Sequence, residues 1–181
     1  MNNHAIHYII RFLLGEDISE EIVAAIGYTN NSKHFERYSI VIIPSGFFTN
    51  HTYGTTSSLP ELPLQEIEGT PLLFGSPLVE QVGGTLVIHA DIIASTYFLI
   101  TRYEEIIQRN IRDEHGRFPG KMSLPYRAGF LHRPIVDEYR LLLRKWLQQY
   151  GLCLPEVKKE IQHIWLTHDL DAPTLYRTWK G

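Results

Sequence analysis

The sequence predicts an α/β fold, a short mostly parallel or mixed sheet flanked by helices, and three observations point to it. Short runs rich in β-branched and aromatic residues are punctuated by Asn, Gly, Pro and Ser, the pattern of buried strands between turns. Two longer stretches, over 92–109 and 134–150, instead place apolar residues three and four apart, the spacing of one helical face. With 181 residues, 44% of them hydrophobic, the chain can bury a core that removes roughly 70% of its unfolded surface from water.

In chain order, Ile6, Ile9, Ile10, Leu13 and Leu14 form an amphipathic stripe that ends at Gly15, so a short helix opens the chain. The runs Ile22 to Tyr28 and Tyr38 to Ile43 are expected strands, bounded by Asn30-Asn31-Ser32 and Pro44-Ser45-Gly46. Residues 46–70 show little periodicity and form a long irregular segment, which in a small domain suggests a role, if only covering a sheet edge. Pro71 to Phe74 and Thr85 to Ala90 are two more expected strands, with Gly75-Ser76-Pro77 and Gly83-Gly84 as turns. Asp91 is placed to cap a helix over 92–109. A loop over 110–133 follows. The last long helix starts at Pro134 and stops at Gly151, with Asp137 and Glu138 near its start and Arg144 and Lys145 nearer its end, as the helix dipole favours. Ile161 to Leu166 is an expected strand running into Thr167-His168-Asp169-Leu170-Asp171.

The net charge of -3 argues against a generic nucleic-acid binder but hides an asymmetry that leaves polyanion binding open. Residues 1–100 hold three Lys and Arg against ten Asp and Glu, and residues 101–181 hold fourteen against ten. No apolar run approaches the ~20 residues of a membrane span, and the apolar N-terminal stretch is interrupted by Arg11 and two histidines, unlike a secretory signal. The lone Cys153 excludes an internal disulfide and reads as a small core residue. A cytoplasmic location is expected.

Chemistry concentrates at Thr167-His168-Asp169-Leu170-Asp171. Alternation puts Thr167, Asp169 and Asp171 on one face of a strand end, where two carboxylates could serve a divalent metal as ligand and base. The other reading is a solvated loop after an edge strand. No two of the nine histidines stand four apart, although His4 and His7 are three apart on the first helix and could chelate. Ser45 lacks the glycine two residues earlier that a nucleophile elbow requires, so it reads as a turn serine. Gly83-Gly84 lacks the rest of a nucleotide-binding fingerprint. The loop Asp113 to Phe118 could orient an anionic or hydroxyl-rich ligand through His115 and Arg117, or simply be a solvated connection. Arg102, Glu104 and Glu105 read as a structural network at a helix end, and the 21 aromatic residues, which could stack sugars, read as core by default.

Five segments in order, Ala90 to Ser95, Arg102 to Glu105, His115 to Phe118, Pro134 to Tyr139 and Leu166 to Asp171, carry a resemblance. The chain resembles the N-terminal part of bacterial polysaccharide deacetylase-like proteins, whose catalytic module is the NodB-homology domain of carbohydrate esterase family 4. Residues 1–89 match only loosely in character. The resemblance implies that the T-x-D-x-D segment closes the first strand of a distorted β/α barrel, with Asp169 as general base and Asp171 as metal ligand. A zinc-like divalent metal would take its other ligands from a downstream H-x-x-x-H motif.

The chain stops ten residues after Asp171, whereas a β/α barrel needs ~250 residues. The expectation is therefore an accessory α/β domain over 1–160, followed at 161–181 by the start of a truncated deacetylase domain with the first strand of a missing barrel. Such a chain is expected to be inactive alone, to bind metal weakly if at all, and to have its own C-terminal deacetylase domain and a polysaccharide substrate as partners, with no nucleic acid and no membrane span. The alternatives are a stand-alone polysaccharide- or protein-binding module, and a metal-dependent hydrolase completed by a second copy that supplies His4 and His7.

Overall fold

A computed structural model describes residues 3–15, 17–156 and 163–167. Helix α1 (Asn3–Leu14) buries Ile9, Ile10, Leu13 and Leu14 and stops at Gly15, whose φ of 103° an L-residue rarely adopts. The run expected as a strand from Ile22 is divided. Ser19 accepts the N–H of Ile22 and starts helix α2 (Glu20–Ala24), so only strand β1 (Ile26–Tyr28) is extended. Ser19 followed by two acidic first-turn residues suits a helix start, a local signal stronger than the β-branched pair Ile22-Val23.

Strand β2 (Ile40–Ile42) is buried throughout, and strand β6 (Thr85–Ala90) runs parallel beside it. The four-stranded sheet has the order β1-β2-β6-β5, with β1, β2 and β6 parallel and strand β5 (Gly75–Val82) antiparallel at the edge. β5, the longest strand, begins at the glycine expected to be only a turn. Most of its side chains are exposed, so its sequence shows no apolar alternation. Gly83-Gly84 does make the turn of the β5–β6 hairpin. Within the segment expected to be irregular, strand β3 (Gln65–Ile67) pairs with strand β4 (Thr70–Leu72) as a small separate hairpin.

One face of the sheet carries Ile40, Ile42, Ile88 and Ala90 into the main core, which α1, helix α3 (Ile92–Ile100) and helix α6 (Ile135–Gln149) complete. On the other face a short 3-10 helix over Ser32–Arg37 sets Phe35 against Val41 and Val87. Thr85, buried there, donates from Oγ1 to the carbonyls of Phe35 and Tyr38, both at 2.9 Å. The protein is thus a mixed α/β fold with a small mixed sheet flanked by helices.

The helix expected over 92–109 breaks after Thr101. Arg102 adopts a left-handed φ of 53°, and helix α4 (Tyr103–Ile107) resumes in a new direction with Tyr103 buried. Glu104, also buried, accepts the Leu124 N–H at 2.6 Å and Arg127 Nη2 at 3.0 Å, tying α4 to helix α5 (Leu124–Arg127) inside the loop expected over 110–133. Arg102 and Glu105 form an exposed bidentate pair. α6 matches its expected span within a residue, Pro134 being the cap rather than the first turn.

Cys153 is exposed, not a core residue, because the chain has left α6 at Gly151 and Leu154 instead turns inward. It should react stoichiometrically with Ellman's reagent in the folded protein, and a thiol that reacts only after denaturant is added would contradict this placement. Residues 163–167 take no regular secondary structure, and Ile164, Trp165 and Leu166 are exposed, so the expected strand is not formed over that part of its length. Among the described residues no helix is long and apolar enough to cross a membrane.

Candidate functional site

The carboxyl ends of β1, β2 and β6 converge on Asp91, the residue that follows β6. Its carboxylate is fully buried. Oδ1 accepts the Ala94 N–H at 2.9 Å and so caps α3, as the sequence predicts. Oδ2 accepts Tyr28 OH at 2.9 Å, Ser45 N–H at 2.8 Å and Ser45 Oγ at 2.7 Å. Burial pushes this carboxyl above the usual carboxylate range, while the four donors pull in the opposite direction. The same contact with Asp91, added to burial, pushes the Tyr28 phenol up, so Tyr28 remains a hydrogen-bond donor. Ser45 is the turn serine its sequence context indicates, with its one hydroxyl proton committed to Asp91.

This clamp fixes the start of the loop that follows β2. Beyond Ser45 the chain turns through Gly46 to Thr55 and lays Phe47 into the core, where its ring meets those of Phe74 at 4.7 Å and Tyr103 at 4.9 Å. Tyr103 OH accepts the Gly54 N–H at 2.6 Å and lies 2.9 Å from Ser58 Oγ. The helix break at Arg102 therefore has a structural use, since it turns Tyr103 under this loop.

Above that layer a pocket of about 560 Å³ opens, lined by Ala5 of α1, by Phe48, Asn50 and Tyr53 of the loop, and by Tyr97 of α3. Its volume falls within the ~300–1,000 Å³ of ordinary ligand sites. The three rings pack at mutual angles, with Phe48 and Tyr97 centroids 5.2 Å apart at 77° and Tyr53 6.1 Å from each. The hydroxyls of Tyr53 and Tyr97 are 2.5 Å apart. Burial, together with this contact, pushes the Tyr97 phenol up. Aromatic planes beside an amide and two hydroxyls can stack an apolar ring face while bonding its polar rim. A second cleft of similar volume lies on the far side of the loop, but its hydroxyls are largely spent internally, Thr49 on Thr52 and Ser58 on Tyr103.

The residues singled out in the sequence fall elsewhere. Asp169 and Asp171 lie outside the described residues, so their geometry carries no argument. Among the described residues no group of three or more His, Cys, Asp and Glu side chains could hold a metal ion. His4 and His7 are exposed on α1. His115 and Arg117 are exposed on a turn organised by Asp113, whose Oδ1 accepts both of their N–H groups at 2.9 Å. The sequence locates no pocket, since sugar stacking by the aromatic residues is only a general possibility there and core is their default. Phe47, Phe48 and Tyr53 within seven residues of an otherwise small and polar stretch are the signal that could have shown it.

No curated protein and no solved structure matches the chain. Residues 2–151 match the model of a family described as of unknown function, DUF7033. That match covers both walls of the aromatic pocket and the Asp91 clamp beneath it, and the chain belongs to this family.

Proposed function

We propose that this chain is the non-catalytic N-terminal domain of a metal-dependent polysaccharide deacetylase, and that it holds the polysaccharide in the pocket between Phe48, Tyr53 and Tyr97. The observation that carries the reading is that pocket, whose mutually angled rings, Asn50 amide and paired hydroxyls make up the chemistry that grips a sugar. The deacetylase half of the reading rests on the ordered segments from Ala90 to Asp171. Several of these are framework positions of the fold: the cap and first turn of α3, the α3–α4 break, and the start of α6. In this reading residues 1–160 form the accessory domain and 161–181 open the deacetylase domain. Asp169 is then the general base and Asp171 a ligand of a zinc-like ion, whose remaining ligands come from the deacetylase domain.

Two measurements test it. The chain with added zinc should release no acetate from N-acetylated oligosaccharides, and reproducible metal-dependent release above a blank overturns the accessory role. Isothermal titration with partially acetylated glucosamine polymer should show saturable binding, weakened about tenfold or more by Tyr97→Ala, the loss of ~1.4 kcal/mol. Binding untouched by that change removes the pocket from the reading. The alternative of a protein-binding module draws on Tyr8 and Phe12, stacked at 6.4 Å and exposed on the outer face of α1, and an absence of glycan binding would favour it.

A further inference from the structure

We infer that the aromatic pocket prefers a sugar bearing a protonated amine over the same sugar with that amine acetylated. The inference rests on the carbohydrate reading of the pocket and names the form of sugar it takes. None of the five lining residues carries a positive charge.

Phe48, Tyr53 and Tyr97 put three ring centroids within 5.2 to 6.1 Å of one another at mutual angles of 34° to 77°. An ammonium seated over a ring face that lines the pocket would lie within the ~6 Å of its centroid over which the ring quadrupole attracts a cation. The polar groups agree. Tyr53 and Tyr97 hydroxyls bond to each other at 2.5 Å, which consumes one of their two protons and leaves more lone pairs than donors on the pair, and Asn50 adds an amide that accepts through its oxygen and donates through its NH2. An ammonium has three donors and no acceptor, so it suits such a set. An acetamido group brings a carbonyl acceptor and loses both the charge and two of the donors. If the deacetylase reading holds, the preferred ligand is the form of the polymer that its reaction produces, so the domain would stay on stretches already processed.

The experiment is isothermal titration of the full chain at pH 6 with three trimers of equal length: glucosamine, N-acetylglucosamine and glucose. The glucosamine trimer should bind at least fivefold more tightly than either of the others. Tyr53→Leu, at a residue 41% exposed, and Tyr97→Leu should each bring the ratio close to one, whereas Tyr97→Phe should keep most of it, because the ring and not the hydroxyl supplies the attraction. Thermal unfolding of each variant identifies any that is misfolded, and the Tyr53 variant then decides. An N-acetylglucosamine or glucose trimer that binds as tightly as the glucosamine trimer overturns the inference and leaves the carbohydrate reading standing. Binding of none of the three overturns both.

Discussion

Asp91→Ala should lower the unfolding free energy by roughly 3–5 kcal/mol, because it leaves several buried donors without an acceptor at about 1–3 kcal/mol each. The substitution removes one fully buried carboxylate and leaves the donors of Tyr28, Ser45 and Ala94 without their acceptor. The lost α3 cap alone accounts for about 1 kcal/mol of this. Against a total of about 5–15 kcal/mol for a domain of this size, the variant sits near the edge of folding. Urea unfolding followed by far-UV circular dichroism measures the loss, and a drop below about 1 kcal/mol would show that the clamp is dispensable. Asp91→Asn should fall between, since its NH2 cannot accept from donors that now meet at one oxygen.

Asp91 also sets a pH dependence. Its pKa is raised on folding, chiefly by burial, so between its ordinary range and its raised value the folded state binds more protons than the unfolded state. Unfolding free energy therefore falls as pH rises through that window. The stability difference between the wild type and Asp91→Asn isolates this group, and it should shift against the wild type as pH increases above about 4. A difference that moves the other way would mean that the four donors outweigh burial.

Gly75→Ala should cost about 3 kcal/mol or more, from backbone strain and overpacking acting together. Gly75 has a φ of 87°, and a Cβ there would lie 2.1 Å from the His89 carbonyl oxygen and 2.7 Å from the Asp91 nitrogen. Both are backbone atoms, one in β6 and one just after it, so neither can swing away as a side-chain tip would. The displacement would also reach Asp91, whose N–H donates to the Phe74 carbonyl at 3.0 Å. Gly83→Ala is the matched control. It too has a positive φ, of 60°, but nothing lies within 4 Å of the added carbon, so it should cost only the strain, about 1–2 kcal/mol. Equal losses in the two variants would show that the close approach at Gly75 has no energetic weight.

Much of the framework was legible because its determinants act within a turn or two of the chain. Asp91 capping α3, Gly15 ending α1 and the Pro134-to-Gly151 bracket around α6 are all local, as is the two-glycine turn before β6. What the sequence hid has equally physical causes. β5 is an edge strand exposed on both faces, so burial imposes no alternation on it. The break at Arg102 occurs at a residue with no conformational preference for left-handed backbone, and it persists because Tyr103 gains two hydrogen bonds under a loop some fifty residues earlier in the chain.

By itself, then, the sequence determined the α/β class, the principal helices and the capping role of Asp91. Tertiary structure alone decided where the candidate site lies. Ala5, the Phe48 to Tyr53 turn and Tyr97 are far apart in the chain and share no period, and they form one pocket because a single buried carboxylate anchors both the loop and the helix that face each other across it. Periodicity and capping report what each segment does with its near neighbours. A cavity depends on which distant segments are held at a fixed separation, and here that separation follows from burying one carboxyl and satisfying it from two strand ends and the first turn of a helix at once.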